Sequence, residues 1–266
     1  MDYRELPLTN SFMFYKIMRN NKDACKGFIE RLLGIELKDI EYLNGEQELE
    51  FDYDSKGVRL DVYVKNSDKV FNIELQTYQE PELGKRMRYY QSMIDIDNLN
   101  AGQNFHEMKD SFILFVTNHD YFGKKLPCYT FKTRCLEDPS ICLNDKAIKV
   151  VYNFMEYKKD TDENRKSLLE FLCTKQTSDD FTQSLNNLVD EAHKNEKWRM
   201  QFMTLEMIKE DEFRMGMEKG YSSGVADGSH DKAVETARKM LDKNIDIKTI
   251  SEITDLSVEE ISNLIK

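Results

Sequence analysis

The sequence predicts an α/β core followed by an all-helical C-terminal part. Two neighbouring segments, 58–64 and 70–76, alternate apolar and polar residues as strands do. A helical pattern over 83–99 then leads into the unbroken apolar run 112–116, and after about residue 156 every periodic segment has helical spacing.

Asn10 to Leu33 reads as one or two helices. Phe14, Ile17 and Met18 recur at helical spacing, as do Phe28, Leu32 and Leu33, with Asn10 placed to cap the start and Gly34 the end. Glu30 on this stretch reads as a surface residue. Ile40 to Phe51 is a strand candidate of mixed quality. In the strand from Val58 to Val64, Leu60, Val62 and Val64 share a face; in the next, from Val70 to Gln76, Phe71, Ile73 and Leu75 do. Pro81 stands just before the helix expected over Leu83 to Leu99, whose stripe is Met87, Tyr90 and Ile94. The run Phe112-Ile113-Leu114-Phe115-Val116 suits a strand buried on both faces. Cys128 to Phe131 and Ile148 to Phe154 are weaker strand candidates.

Helices are expected over Ser167 to Cys173, Phe181 to His193 and Trp198 to Phe213. Gly216, Gly220, Gly224 and Gly228 recur every four residues. At about 1 kcal/mol each against Ala they make a weak helix. The stretch therefore reads as a pliable linker, or as a helix whose small residues admit another helix closely. Lys232 to Lys266 reads as three short helices. Ser257 caps the last through a capping box with Glu260, and the turn Thr254-Asp255-Leu256-Ser257 resembles the second half of a helix-turn-helix. That last helix opens on Glu259 and Glu260, where a groove-reading helix needs donors, so protein contact is favoured over DNA reading. The expected organisation is a core over 1–155, a helical region over 156–215, a Gly-spaced linker or helix over 216–231, and a small helical module over 232–266.

Composition narrows the function. The 266 residues carry a net charge of −11. This argues against coating nucleic acid electrostatically, though not against holding it in a local cleft. Residues 1–155 hold 25 acids and 21 bases and the remainder 24 and 17, so the smaller part carries more negative charge and is the poorer grip for DNA. No run approaches the ~18–20 apolar residues of a membrane span. Met1 to Pro7 has no apolar leader core, so a cytoplasmic protein is expected. Cys25, Cys128, Cys135, Cys142 and Cys173 form no CxxC pair and read as reduced thiols. His106, His119, His193 and His230 form no metal-binding grouping, and neither GxxxxGK[ST] nor GxSxG occurs. Histidine-metal nucleases, phosphate-loop ATPases and serine hydrolases are therefore disfavoured.

The two alternating strands carry the chemistry. A hairpin loop of two residues at Ser67-Asp68, or of four from Asn66 to Lys69, pairs Val64 with Phe71, Val62 with Ile73 and Asp61 with Glu74. A three-residue loop would set Asp61 against an apolar partner, which the pleat forbids without a bulge. An even loop is thus expected, with Asp61, Glu74 and Gln76 on one polar face. Two carboxylates directly across a ladder repel by about 0.2–1 kcal/mol. A shared Mg²⁺ would relieve this, because it takes one or two carboxylates with waters and phosphate oxygens, and the Leu75 carbonyl could add a ligand. Gln76 would then be placed to orient an attacking water. The competing reading is a solvated hairpin face with Arg59 and Gln76 as polar neighbours.

Asp61, then twelve residues, then Glu74-Leu75-Gln76 on adjacent strands after an N-terminal helix resembles the PD-(D/E)XK nuclease superfamily. The closer resemblance is to its Rpn family of recombination-promoting, transposase-like nucleases. It is carried by Arg59 to Val64, Phe71 to Gln76, Lys85-Arg86-Met87-Arg88-Tyr89-Tyr90-Gln91, Phe115 to Gly123, Tyr129-Thr130-Phe131 and Asn144 to Asn153, in order along essentially the whole chain. The resemblance implies an αβββαβ core with a mixed central sheet, an acidic pair binding Mg²⁺ (or Mn²⁺), and cleavage of double-stranded DNA in recombination or in defence against invading DNA. It makes Asp61 and Glu74 the metal ligands and puts Gln76 where the superfamily has a lysine. Positive charge for the phosphate is then expected from the following helix, where Arg86 and Tyr90 lie four apart and Arg88 is near. Lys146 stands where the family leads one to expect glycine. Self-association through the helical C-terminal region is expected. The competing expectation is a nuclease fold kept as a DNA- or protein-binding regulatory module, with Gln76 marking lost catalysis.

Overall fold

The computed structural model describes residues 2–42, 62–79, 81–99 and 101–264. The chain divides into two compact units, Met1–Met200 and Gln201–Lys266.

In the first unit the Asn10 side chain accepts from the backbone N–H of Phe12 at 3.0 Å and of Met13 at 3.3 Å, starting helix α1 (Ser11–Asn20). The chain breaks at Asn21, so the predicted stretch is two helices. Helix α2 (Lys22–Leu33) ends at Gly34, whose φ of 64° is left-handed and disfavours a Cβ. Six strands form one sheet: β1 (Glu41–Tyr42), β2 (Val62–Asn66), β3 (Lys69–Gln76), β4 (Asp110–Thr117), β5 (Cys128–Phe131) and β6 (Ala147–Asn153), in the order β1-β2-β3-β4-β6-β5. β2 runs antiparallel to both of its neighbours, β1 and β3; β3, β4 and β6 run parallel, and β5 returns antiparallel to β6. Helix α3 (Leu83–Asn98) is the crossover that the parallel pair β3–β4 requires. The sheet is mixed, as expected. Most of the strand expected over 40–51 and the first residues of the one expected over 58–64 lie outside the described residues.

The β2–β3 turn is the two residues Ser67 and Asp68, and it sets Val64 opposite Phe71 and Val62 opposite Ile73. This is the even register that the apolar pattern demands. One sheet face takes α3, where Met87, Tyr90, Met93 and Ile94 pack with Val70, Ile113, Phe115 and Val151. The opposite parity supplies the other face. There Phe71 stacks on Phe112 with ring centroids 5.1 Å apart, and the Tyr152 hydroxyl donates to the Leu32 carbonyl of α2 at 2.7 Å. From Ser111 to Thr117, β4 is buried throughout, as its unbroken apolar run predicts.

Helices α4 (Glu163–Thr174) and α5 (Asp180–His193) pack on α2 and α1, so this unit runs on past the change of character near residue 156. Asp179 caps α5 by accepting from the Thr182 N–H at 2.8 Å, and it pairs with Arg31 of α2. The Tyr3 hydroxyl donates to the Ala192 carbonyl at 2.7 Å, tying the N-terminus to the same helix. Lys146, just before β6, has a φ of 59°, so the backbone keeps the conformation a glycine would favour although the side chain is lysine.

Helix α6 (Glu196–Leu241) is continuous through 216–231, so of the two readings of the glycine stretch the structure has the helix. Within the second unit Ala237 of α6 packs with Ile250 of α7 (Ile247–Thr254), Leu256 of the turn and Ile261 of α8 (Val258–Asn263). The Ser257 hydroxyl accepts from the Glu260 N–H at 3.2 Å and the Glu260 carboxylate from the Ser257 N–H at 2.8 Å, the expected capping box. The first of the three short helices expected over 232–266 is the end of α6. Among the described residues no helix is long and apolar enough to cross a membrane.

Candidate active site

β3 places Asn72, Glu74 and Gln76 on the sheet face that α3 covers, because alternate residues share a face and Val70 of the same parity packs under α3. None of the three is solvated: they are 0%, 1% and 3% exposed. The reading of a solvated hairpin face is therefore excluded for Glu74 and Gln76. A carboxylate buried without partners would cost several kcal/mol. Here Glu74 Oε1 accepts from the Asn72 amide at 3.1 Å and Oε2 from Arg86 Nη2 at 3.1 Å.

Arg86 organises the site. Besides Glu74, its Nη1 donates to Gln76 Oε1 at 2.9 Å and its Nε to the Tyr90 hydroxyl at 2.7 Å. The guanidinium carbon lies 5.2 Å from the Tyr90 ring centroid and 5.5 Å from that of Phe115, within cation–π range. Phe115 is there because β4 pairs it with Glu74. Burial works against the charge of Arg86, but the Tyr90 oxygen and the Glu74 carboxylate outweigh it and raise its pKa above the ordinary value. The guanidinium therefore stays charged throughout the physiological range. Buried Gln76 Nε2 has no hydrogen-bond partner among the described residues.

The residues singled out from sequence fare differently. Glu74, Gln76, Arg86 and Tyr90 come together. Tyr90 belongs to the core beneath α3 and offers its hydroxyl to Arg86. Arg88 is exposed and lies two residues, about 200° of helical turn, away from Arg86. The Leu75 side chain, on the other face of β3, is buried. Asp61, the second carboxylate, lies outside the described residues. Glu30 has a structural task, its carboxylate accepting from the Leu37 N–H at 2.7 Å.

Two features escaped the sequence reading. Asn72 shares the parity of Glu74, a signal present in the pattern, and its amide donates to Glu74 Oε1. The segment after β4 is laid against the end of β3, where a His119 ring nitrogen meets the Thr77 carbonyl at 3.2 Å and the Tyr121 hydroxyl donates to the Tyr78 carbonyl at 3.4 Å.

The available ligand atoms are oxygens: the Glu74 carboxylate, the Gln76 amide oxygen and the β3 carbonyls. Such donors fit a hard divalent cation such as Mg²⁺ or Mn²⁺ and do not fit a zinc site of thiolates and imidazoles. Among the described residues no three His, Cys, Asp or Glu side chains gather around one point.

Residues 230–266, the end of α6 with α7 and α8, match the Rpn/YhgA-like nuclease family, C-terminal HTH domain. No curated protein and no solved structure matches the chain. Residues 9–221, which include the whole sheet, α3 and the Glu74–Gln76–Arg86 cluster, match the PD-(D/E)XK nuclease family transposase description, and the chain belongs to that family.

Proposed function

We propose that this chain is a metal-dependent endodeoxyribonuclease that hydrolyses phosphodiester bonds of double-stranded DNA, in recombination or in defence against mobile DNA. Membership of a PD-(D/E)XK family supports a nuclease- or transposase-like function. The observation that carries the finer reading is the Glu74 carboxylate, buried on the sheet face beside Gln76 and charge-matched by Arg86.

Asp61, Glu74 and the Leu75 carbonyl are the groups to hold Mg²⁺, with Mn²⁺ as a substitute. When bound, such an ion supplies charge to the phosphate and acidity to water. The attacking water would give up a proton as its oxygen bonds phosphorus, the bond to the leaving deoxyribose oxygen would break, and that oxygen would take up a proton. Gln76 positions the water through its amide. Arg86, on its aromatic shelf, faces the phosphate, and Arg88 contacts the DNA backbone farther out. The C-terminal HTH match adds a second route to DNA. Exposed Phe213, Met217 and Tyr221 beside the glycines of α6 suit self-association of two copies.

Plasmid nicking tests the reading. Wild type should cut with Mg²⁺ and not with chelator present, while Glu74→Gln and Asp61→Asn should each lose at least about a hundredfold in rate. Equal cutting by wild type and Glu74→Gln would refute it. No cutting by the wild type with either ion would favour a binding module instead.

A further inference from the structure

We infer that Arg86 is a latch on the Glu74 carboxylate and that, once an incoming divalent cation displaces it, the same guanidinium serves as the phosphate-binding cation that Gln76 cannot be. This rests on the metal-dependent reading above.

The geometry makes Arg86 the gatekeeper. The Glu74 side chain is 1% exposed and the Arg86 side chain paired with it 25%, so of the two it is the Arg86 side chain that reaches solvent. Nη2 holds Glu74 Oε2 at 3.1 Å, the carboxylate oxygen an ion at this position would use, and Nη1 holds the Gln76 Oε1 of the water-positioning amide at 2.9 Å. A divalent cation on Oε2 and a guanidinium at hydrogen-bond distance from it would be like charges with little water between them. Arg86 must therefore give up Glu74 when the ion takes it.

The shelf under Arg86 lets it move without becoming stranded. The flat guanidinium lies over Tyr90 and Phe115, and Nε keeps the Tyr90 hydroxyl at 2.7 Å. A swing of Nη1 and Nη2 away from β3 would leave that anchor in place. It would present two parallel donors to a phosphate, a geometry that guanidinium matches and ammonium does not. Release also frees Gln76 Oε1, next to the buried Nε2 that already lacks a partner among the described residues. One motion would thus open the carboxylate, supply the cation and unlock the amide.

The latch predicts that binding and catalysis move in opposite directions. Mn²⁺ affinity, measured by titration calorimetry without DNA, should be about tenfold tighter in Arg86→Ala than in wild type. Its Mg²⁺-dependent nicking should be at least about a hundredfold slower. Arg86→Gln keeps hydrogen-bonding capacity without charge and should behave likewise, so it decides the matter if the alanine variant does not fold by circular dichroism. Arg86→Lys should keep wild-type-like metal affinity and part of the activity. Unchanged or weaker Mn²⁺ affinity in both neutral variants, with wild type still binding and cutting, would overturn the latch and leave the nuclease reading intact. Undiminished nicking by them would overturn the phosphate role. Wild type that neither binds Mn²⁺ nor cuts would remove both readings together.

Discussion

Glu74 is tolerable in the interior because each of its oxygens has a donor, from Asn72 on the same strand and from Arg86 on α3. Donors behind a ligand carboxylate set its orientation and its basicity. Asn72→Ala should therefore slow nicking by about 10- to 100-fold at unchanged DNA affinity, measurable as a fall in kcat with KM preserved. Placing the lysine of the PD-(D/E)XK pattern at position 76 alone should not help. Gln76→Lys would set an ammonium against Arg86 Nη1, now 2.9 Å from the Gln76 oxygen, and should destabilise the fold by about 1–3 kcal/mol in urea unfolding. Combined with Arg86→Gln, the same lysine should recover much of the lost activity, a coupling the double-mutant cycle reads directly. Parity was enough to put Glu74 and Gln76 on one face from the sequence. It could not show that this face is buried, because alternation looks the same under a helix or under water. Nor could it separate Arg86 from Arg88 as partners of β3, since nothing in the pattern gives the rotation of α3 about its axis.

The elements that hold this cluster were readable where local chemistry is strong. The Asn10 cap, Gly34, the Ser257–Glu260 box and the two-residue hairpin all stand where side-chain type demanded them. Less readable was the turn before β6, where Lys146 takes a left-handed φ of 59°. Lys146→Gly should relieve that strain and stabilise the first unit by up to about 1 kcal/mol, seen as a raised Tm. At α5, burial tends to raise the Asp179 pKa, but the Thr182 N–H, Ser167 and Arg31 prevail and lower it to about 2. Its folded value lies below the ordinary unfolded value of about 3.9. The stabilisation is therefore full above about pH 4 and is lost as pH falls toward 2. Asp179→Ala should cost about 1–2 kcal/mol at pH 7 through the lost cap, and little near pH 2, in paired denaturation curves.

Over the whole chain, the change to helices near residue 156 was visible, but the end of the first compact unit was not. That end depends on which faces of α4 and α5 meet α1 and α2, a long-range choice no local window holds. The glycines of α6 pose the converse problem. Propensity alone made 216–231 a weak helix, yet the helix is continuous, and a Cβ at any of the four would meet nothing within 4 Å. Gly220→Ala should then stabilise α6 by about 1 kcal/mol in thermal unfolding of the full chain. If two copies pack along this stripe, Gly220→Leu should dissociate them in sedimentation velocity while leaving the helix intact. The Ser67–Asp68 turn also restricts how the molecule can vary. β3 is pinned by its parallel pairing with β4, so one extra residue in the turn would roll β2 over and drive Lys65 into the space now filled by Val62 and Val64. Insertions at that corner are tolerable only in pairs, and a lineage that gained a single residue there would have to lose another, or acquire a bulge, before its sheet could close again.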